Sequence, residues 1–292
     1  MAKSARLDGR RTTPDRRRRC YDHLMELINH EAQLRLLAFA LLLIAMLWAQ
    51  SAWPARGDGR PARRQAVNMA LALVNTLILR LAFPILAVSL AVVVYQDRSG
   101  LLAVVDLPIW IGVPVAMVLL ELIIYWQHRL MHSVPLLWRM HRVHHIDTGF
   151  DVTTGVRFHP LEIALSMGIK LGAIWVLGPH PVAVVLFEIL LAAGALWTHT
   201  DIALPPRLDR TLRWLFVTPS MHRIHHSSWR QETDSNYGFH LSIWDRLFGS
   251  YTATPRQAER RMEIGLMDFR SERDLGFWAL LRNPFRSTIK KG

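Results

Sequence analysis

The chain has 292 residues, of which 51% are hydrophobic and 20% charged, and a positive mean hydropathy of +0.16, which sets it apart from ordinary water-soluble proteins; apolar runs rather than length then decide its class. The net charge of +12 admits two partners, nucleic acid or an anionic membrane surface, and the apolar runs favour the membrane and no nucleic acid. One cysteine, Cys20, excludes an intrachain disulfide and a cysteine-based metal site and fits a reducing compartment.

The chain opens on a basic stretch from Lys3 to Arg19 with four consecutive arginines at 16–19. The next apolar run starts only near Leu34, too late for a signal peptide, so residues 1–33 are expected to be a retained, disordered cytoplasmic tail. Apolar stretches follow over 34–53, 67–95, 108–127, 161–178 and 180–198. A bilayer takes about 20 helical residues to cross. Residues 67–95 carry Arg80 and Pro84, which predicts a tilt or kink. Gly178-Pro179-His180-Pro181 breaks the last two runs into a hairpin. The hairpin puts 128–160 and 199–292 on one side, and a second hairpin over 67–127 brings Arg56 to Arg64 there too. That side is basic, so it is expected to be cytoplasmic. Residues 34–53 are the difficulty: if they span, the Arg-rich tail lies outside, so a re-entrant or interfacial helix stays open. About four membrane-embedded helices are expected, in a domain over 34–255 followed by a basic tail over 256–292.

Fourteen histidines are present, and nine fall in a pattern. His128 and His132 are four apart, His141, His144 and His145 form HxxHH, His222, His225 and His226 repeat it, and His199 stands alone. Positions i, i+3 and i+4 share a helix face, and neutral imidazole suits Zn, Cu, Fe and Ni. One such ion takes at most about six ligands, so nine histidines imply two metals. The residues following His128 and His222 are arginines, not the Glu of a zinc-protease HExxH. A zinc deaminase would need cysteines, and a transporter would place ligands at mid-membrane rather than just past the apolar runs.

This spacing resembles the fatty acid hydroxylase superfamily, also called the sterol desaturase family. The resemblance covers roughly 65–255 and includes Gln127-His128-Arg129, Arg157-Phe158-His159-Pro160-Leu161-Glu162, His199-Thr200-Asp201-Ile202, Thr218-Pro219-Ser220-Met221-His222, Asn236-Tyr237-Gly238 and Trp244-Asp245-Arg246-Leu247-Phe248-Gly249. Asp201 stands where members commonly carry Asn. The resemblance implies an all-α membrane protein whose helical cytoplasmic cap holds a His-rich di-metal centre. It implies two irons, O2, and electrons from NAD(P)H through a separate donor protein, with zinc able to replace iron on overexpression because divalent affinity favours it. Members act on sterols, acyl chains, carotenoids, alkylglycerols and ornithine lipids. It carries over nine ligands: His128, His132, His141, His144, His145, His199, His222, His225 and His226. Their division between two metals cannot be read from spacing.

Around them, Glu121, Asp245 and Asn236 are expected to be catalytic. Glu121 is a lone acid in an apolar run, where a charge is costly and usually functional, and shares a face with Tyr125, His128 and His132. At about 10 Å below His128 it is too far to be a ligand of the same metal; contact with another helix's histidine or a backbone group, and a supporting or proton-carrying role, are expected. Glu188 lies three turns before His199 on one face, and Asp245 is a candidate partner of Arg246 or a ligand histidine. His159 is read as held by Arg157 or Glu162, His240 as structural, and His23, His30 and His180 as surface or interfacial. The expected activity is O2-dependent hydroxylation of a membrane lipid in the cell membrane, with the metal site on the cytoplasmic side. A desaturase using the same centre is the alternative, and a membrane metal-binding or transport protein without redox turnover is the alternative of another class.

Overall fold

The structure is a computed structural model describing residues 30–57, 61–83, 86–105 and 107–287. The Arg-rich stretch and His23 lie outside the described residues. Apolar sequence forms α1 (Glu31–Ala52), α2 (Ala62–Ala82), α3 (Ala87–Gln96), α4 (Leu101–Val105) and α5 (Ile109–Ser133). The cap and the last hairpin come next as α6 (Pro135–His145), α7 (Pro160–Leu177), α8 (Pro181–Thr198), α9 (Pro206–Leu212) and α10 (Pro219–His225). Among the described residues there is no β-strand beyond three isolated bridges. The all-α expectation is met.

Among the described residues, five helical stretches are long and apolar enough to cross a membrane, against about four expected, and residues 31–52 are among them. Their outward faces expose Leu36, Leu41, Ile44, Leu73, Leu77 and Trp110, a surface that suits hydrocarbon rather than water. The chain is a membrane protein. Over 67–95, where one tilted or kinked helix was expected, there are two helices: α2 stops at Ala82 and α3 begins at Ala87. The α7–α8 hairpin turns where foreseen. Gly178 ends α7 in the left-handed region at φ 58°, and Pro181 starts α8 at its first position, where its missing N–H costs nothing.

α1 runs the same way as α8, because Arg35 pairs with Glu188 low on α8 while Ala55, just past α1, donates to the Asp201 carbonyl beyond the top of α8. The segment expected to be a basic C-terminal tail packs against the cap as far as Arg286. Gly265 donates to the His226 carbonyl, buried Arg142 is held by Asn283 Oδ1 and two carbonyls, and Leu280 packs with Leu71, Val143 and Ile146. Its apolar residues at 262, 264, 277 and 280 cover the backs of the histidine helices, which a charge-based reading of the segment does not register.

Candidate metal centre

Four elements deliver the nine histidines. α5 ends in His128 and His132, and α6 is short, started by Pro135, and carries His141, His144 and His145. α8 closes on His199 as its C-cap, and α10, capped by the Thr218 hydroxyl on Met221 N–H, carries His222 and His225 and closes on His226. The rings meet in two groups. His128, His132, His141, His145 and His225 form one, and His144, His199, His222 and His226 the other; in each, one nitrogen per residue lies within 4.8 Å of the others. Each HxxHH motif is thus divided between the groups.

The hydrogen bonds fix which nitrogen faces inward. Six Nδ1 atoms face acceptors: His128 the Tyr237 carbonyl at 2.8 Å, His132 Asp234 at 3.3 Å, His141 Glu162 at 2.7 Å, His144 the Arg157 carbonyl at 3.1 Å, His199 the Ala195 carbonyl at 2.8 Å and His225 the Ser235 carbonyl at 2.7 Å. A carbonyl or carboxylate only accepts, so these Nδ1 atoms carry the proton and each Nε2 presents a lone pair. In the four-histidine group, Nε2 of His144, His222 and His226 lie 3.1, 3.0 and 3.1 Å from Nε2 of His199. For the His144–His199 pair this sets lone pair against lone pair, an arrangement that a cation between them converts from repulsive to binding. In the five-histidine group, Nε2 of His132, His141 and His225 is buried without a partner, as are both nitrogens of His145. Buried polar atoms are rarely left so. This donor set fits two metal ions.

Protonation agrees. Burial, reinforced by neighbouring imidazoles, holds His144, His145, His222 and His226 well below the ordinary histidine value. Burial also takes His199 to about 4 and His225 to about 3, although a backbone carbonyl partly opposes it in each. All six are neutral at pH 7, the form a metal requires. Aromatic rings close the surroundings: Phe158 stacks on His144 at 4.6 Å, Phe150 on His199 at 5.7 Å, and Trp138 tilts against His132 at 5.0 Å.

One irregular loop supplies three of the six acceptors, through Asp234, Ser235 and Tyr237. The three residues expected to be catalytic all hold this loop or its continuation to residue 241, and none bonds to the nine histidines. Asn236, at φ 53°, donates to the Met221 and Thr252 carbonyls and accepts from Thr252 N–H. Asp245 accepts from Tyr237 N–H, Gly238 N–H and the Ser250 hydroxyl, and burial pushes its carboxyl up to about 6 despite those bonds. It pairs with neither Arg246 nor a ligand histidine. Glu121 accepts from the N–H groups of His240 and Leu241 at 2.7 and 3.1 Å and from His240 Nδ1 at 2.8 Å. It therefore does contact a histidine and backbone groups outside its own helix, as expected, but not a histidine of the centre.

Other expectations change. Glu188 is paired with Lys170 and Arg35 rather than directed at His199. His159 caps α7 by accepting from Leu161 N–H, and its Nε2 faces the Leu281 carbonyl; neither Arg157 nor Glu162 holds it. Glu162 serves His141 instead, and Arg157 donates to Asn68 and the Val143 carbonyl. His180 caps α8 through Val182 N–H. Sequence reasoning missed Asp234, which carried no spacing signal, and the four backbone carbonyls, which no side-chain pattern can show.

Residues 113–250 match the family model described as fatty acid hydroxylase, and that span contains all nine histidines. This stretch is a fatty acid hydroxylase domain, as the pattern of histidines indicated. An ornithine lipid hydroxylase of Rhizobium tropici is 33% identical over 188 residues, 63% of this chain and 53% of its own length. Alkylglycerol monooxygenases of Xenopus tropicalis and Homo sapiens are each 34% identical over 44% of this chain, but over only 27% and 28% of their own lengths. The alignments thus span about half of the first relative and about a quarter of the others. No solved structure gives a significant match.

Proposed function

We propose that the chain is a lipid hydroxylase whose nine histidines hold two irons. The observation that carries the reading is the convergence of neutral imidazoles in two groups, inside a domain whose relatives include an ornithine lipid hydroxylase and alkylglycerol monooxygenases. When bound, the irons would supply O2 activation and oxidation of an unactivated C–H bond. The chain's own residues do the rest. The six anchored Nδ1 atoms lock ring orientation and tautomer, which sustains metal affinity. Arg64 bonds Asp147 at 2.7 and 3.0 Å and also Asp151, fixing the turn after His145. Phe150, Phe158 and Trp138 keep bulk water from the rings.

Partners and place belong to the same reading. Electrons would come from NAD(P)H through a separate donor protein, and the lipid from the bilayer. We place the cap on the cytoplasmic side of the cell membrane because it holds most of the chain's Lys and Arg. This puts the start of α1 on the other side, an orientation that the arginines at 16–19 oppose.

Comparative lipid mass spectrometry of cells with and without the chain tests the activity. A lipid gaining one oxygen supports hydroxylation, and one losing two hydrogens replaces it with desaturation. An unchanged lipid profile, with no reductant-dependent O2 consumption by the purified protein, would leave a metal-binding protein without turnover.

A further inference from the structure

An apolar cavity of about 250 Å³ lies between the end of α8 and the segments around 212–218 and 239–240. Trp197 and Thr218 line it, and they stand two and four residues before His199 and His222. Leu212, Phe216 and Phe239 supply other walls, with His240 beside them.

The depth of the cavity is set by two bonds to α8. Trp197 Nε1, in the last turn of that helix, donates to the Val217 carbonyl at 3.0 Å. His240 Nε2 reaches the Leu190 carbonyl at 2.6 Å. Leu190 is eight residues before the helix end, about 12 Å lower at 1.5 Å per residue. The ring of His240 reaches down past Gly194 toward that carbonyl, while the loop backbone pairs with Val217, whose carbonyl accepts from Trp197, so the loop lies against the last turns of α8. Non-helical backbone so placed is tolerated only where protein buries it or it lines a cavity. Glu121 meets this need by accepting both backbone N–H groups. His240 faces an acceptor with each ring nitrogen, Glu121 and the Leu190 carbonyl, so it is held as an imidazolium paired with that carboxylate. Gly194 leaves the space that its ring occupies.

The outer lip has a composition of its own. Between Pro206 and Phe216 the chain exposes Leu208 at 46%, Trp214 at 69%, Leu215 at 46% and Phe216 at 47%, alongside exposed Arg207 and Arg210. Large apolar groups interleaved with arginines suit the boundary between acyl chains and headgroups, where Trp is enriched and arginine meets acidic groups. Water would disfavour this exposure, and the level of Val217 beside Trp197 places the segment at that boundary.

We propose that segment 206–216 lies in the headgroup layer and that the cavity takes the hydrocarbon chain of a bilayer lipid, entering sideways past Leu212 and Phe216. This rests on the hydroxylase reading for its purpose and adds the chain's binding site and direction of entry. Entry from the side would bring the chain against Trp197 and Thr218, on the elements that carry His199 and His222, without crossing water.

The test is photo-crosslinking of the full-length, metal-loaded protein in vesicles of phosphatidylethanolamine and phosphatidylglycerol. Phe216→p-benzoylphenylalanine places the reactive group at the lip, and the same change at Leu36, exposed on α1, samples bulk lipid. Irradiation should give acyl-chain adducts at both. Leu212→Trp, which fills the mouth, should cut the adduct at 216 roughly tenfold, equivalent to about 1.4 kcal/mol of chain binding, and leave the adduct at 36 and the metal content unchanged. No lipid adduct at 216, or one indifferent to Leu212→Trp while metal content is retained, overturns the proposal. Adducts that respond to Leu212→Trp in a protein that oxygenates no lipid would overturn the hydroxylase reading and keep the cavity assignment. An oxygenated lipid formed without an adduct at 216 would do the reverse.

Discussion

Replacing Glu121 by Leu should loosen the centre from a distance. Its carboxylate, only 4% exposed, accepts two backbone N–H bonds and one from His240 Nδ1. Leucine satisfies none of them. Each buried donor left without an acceptor costs about 1–3 kcal/mol, so the two backbone groups alone cost about 2–6 kcal/mol, while His240 can shed its proton. Glu121→Gln keeps an acceptor for the backbone groups and lets a neutral His240 accept at Nδ1, so its cost should be about 1 kcal/mol, the difference between charged and neutral hydrogen bonds. Thermal unfolding in nanodiscs, with metal analysis of the folded fraction, reads both. Leucine should unfold several degrees earlier and lose metal, because the loop it frees runs back within three residues to the Tyr237 carbonyl that holds His128. Glutamine should stay near wild type in both. A leucine variant as stable and as metal-rich as wild type would refute the claim that Glu121 holds this loop.

Other perturbations separate the centre from its scaffold. His144→Ala or His225→Ala should abolish activity and lower metal occupancy, whereas His180→Ala removes only a helix cap, worth about 1 kcal/mol, and should do neither; equal effects on activity and metal would mean that the histidines act through folding. Glu188→Ala leaves Lys170 without its carboxylate partner and should destabilise by about 3–5 kcal/mol, visible in unfolding, with metal per folded chain unchanged; selective metal loss would revive a link to His199. Arg64→Ala should cost a similar amount at Asp147, and Arg64→Lys should not restore it, because lysine lacks the paired donors; full rescue by lysine in the same unfolding assay would show that charge alone suffices. An impermeant maleimide applied to intact cells should label Cys20 if α1 spans and the cap is cytoplasmic, and labelling only after lysis would contradict that orientation.

The helices, the α7–α8 turn and the meeting of nine histidines were legible because each rests on local chemistry: apolar length, a Gly-Pro-His-Pro break, and i, i+3, i+4 spacing. The division of the histidines was not, since each HxxHH motif sends rings to both groups according to how α6 and α10 cross. Glu121 is legible as a lone acid in an apolar helix, but its partner lies 119 residues away on a loop that no periodicity announces. Glu188 had the helical register to reach His199, yet Lys170 and Arg35 meet it first. The role of 256–287 was hidden because its arginines suggest a solvated tail, while a few spaced apolar residues decide its packing.

Elemental analysis of the gently purified, folded protein and of two group-specific variants tests the central claim most directly. Wild type should carry two transition metals per chain. His141→Ala should lower occupancy at the five-histidine group and His222→Ala at the four-histidine group, each variant keeping about one metal per chain. Wild-type protein that holds less than about one metal per chain would contradict the account.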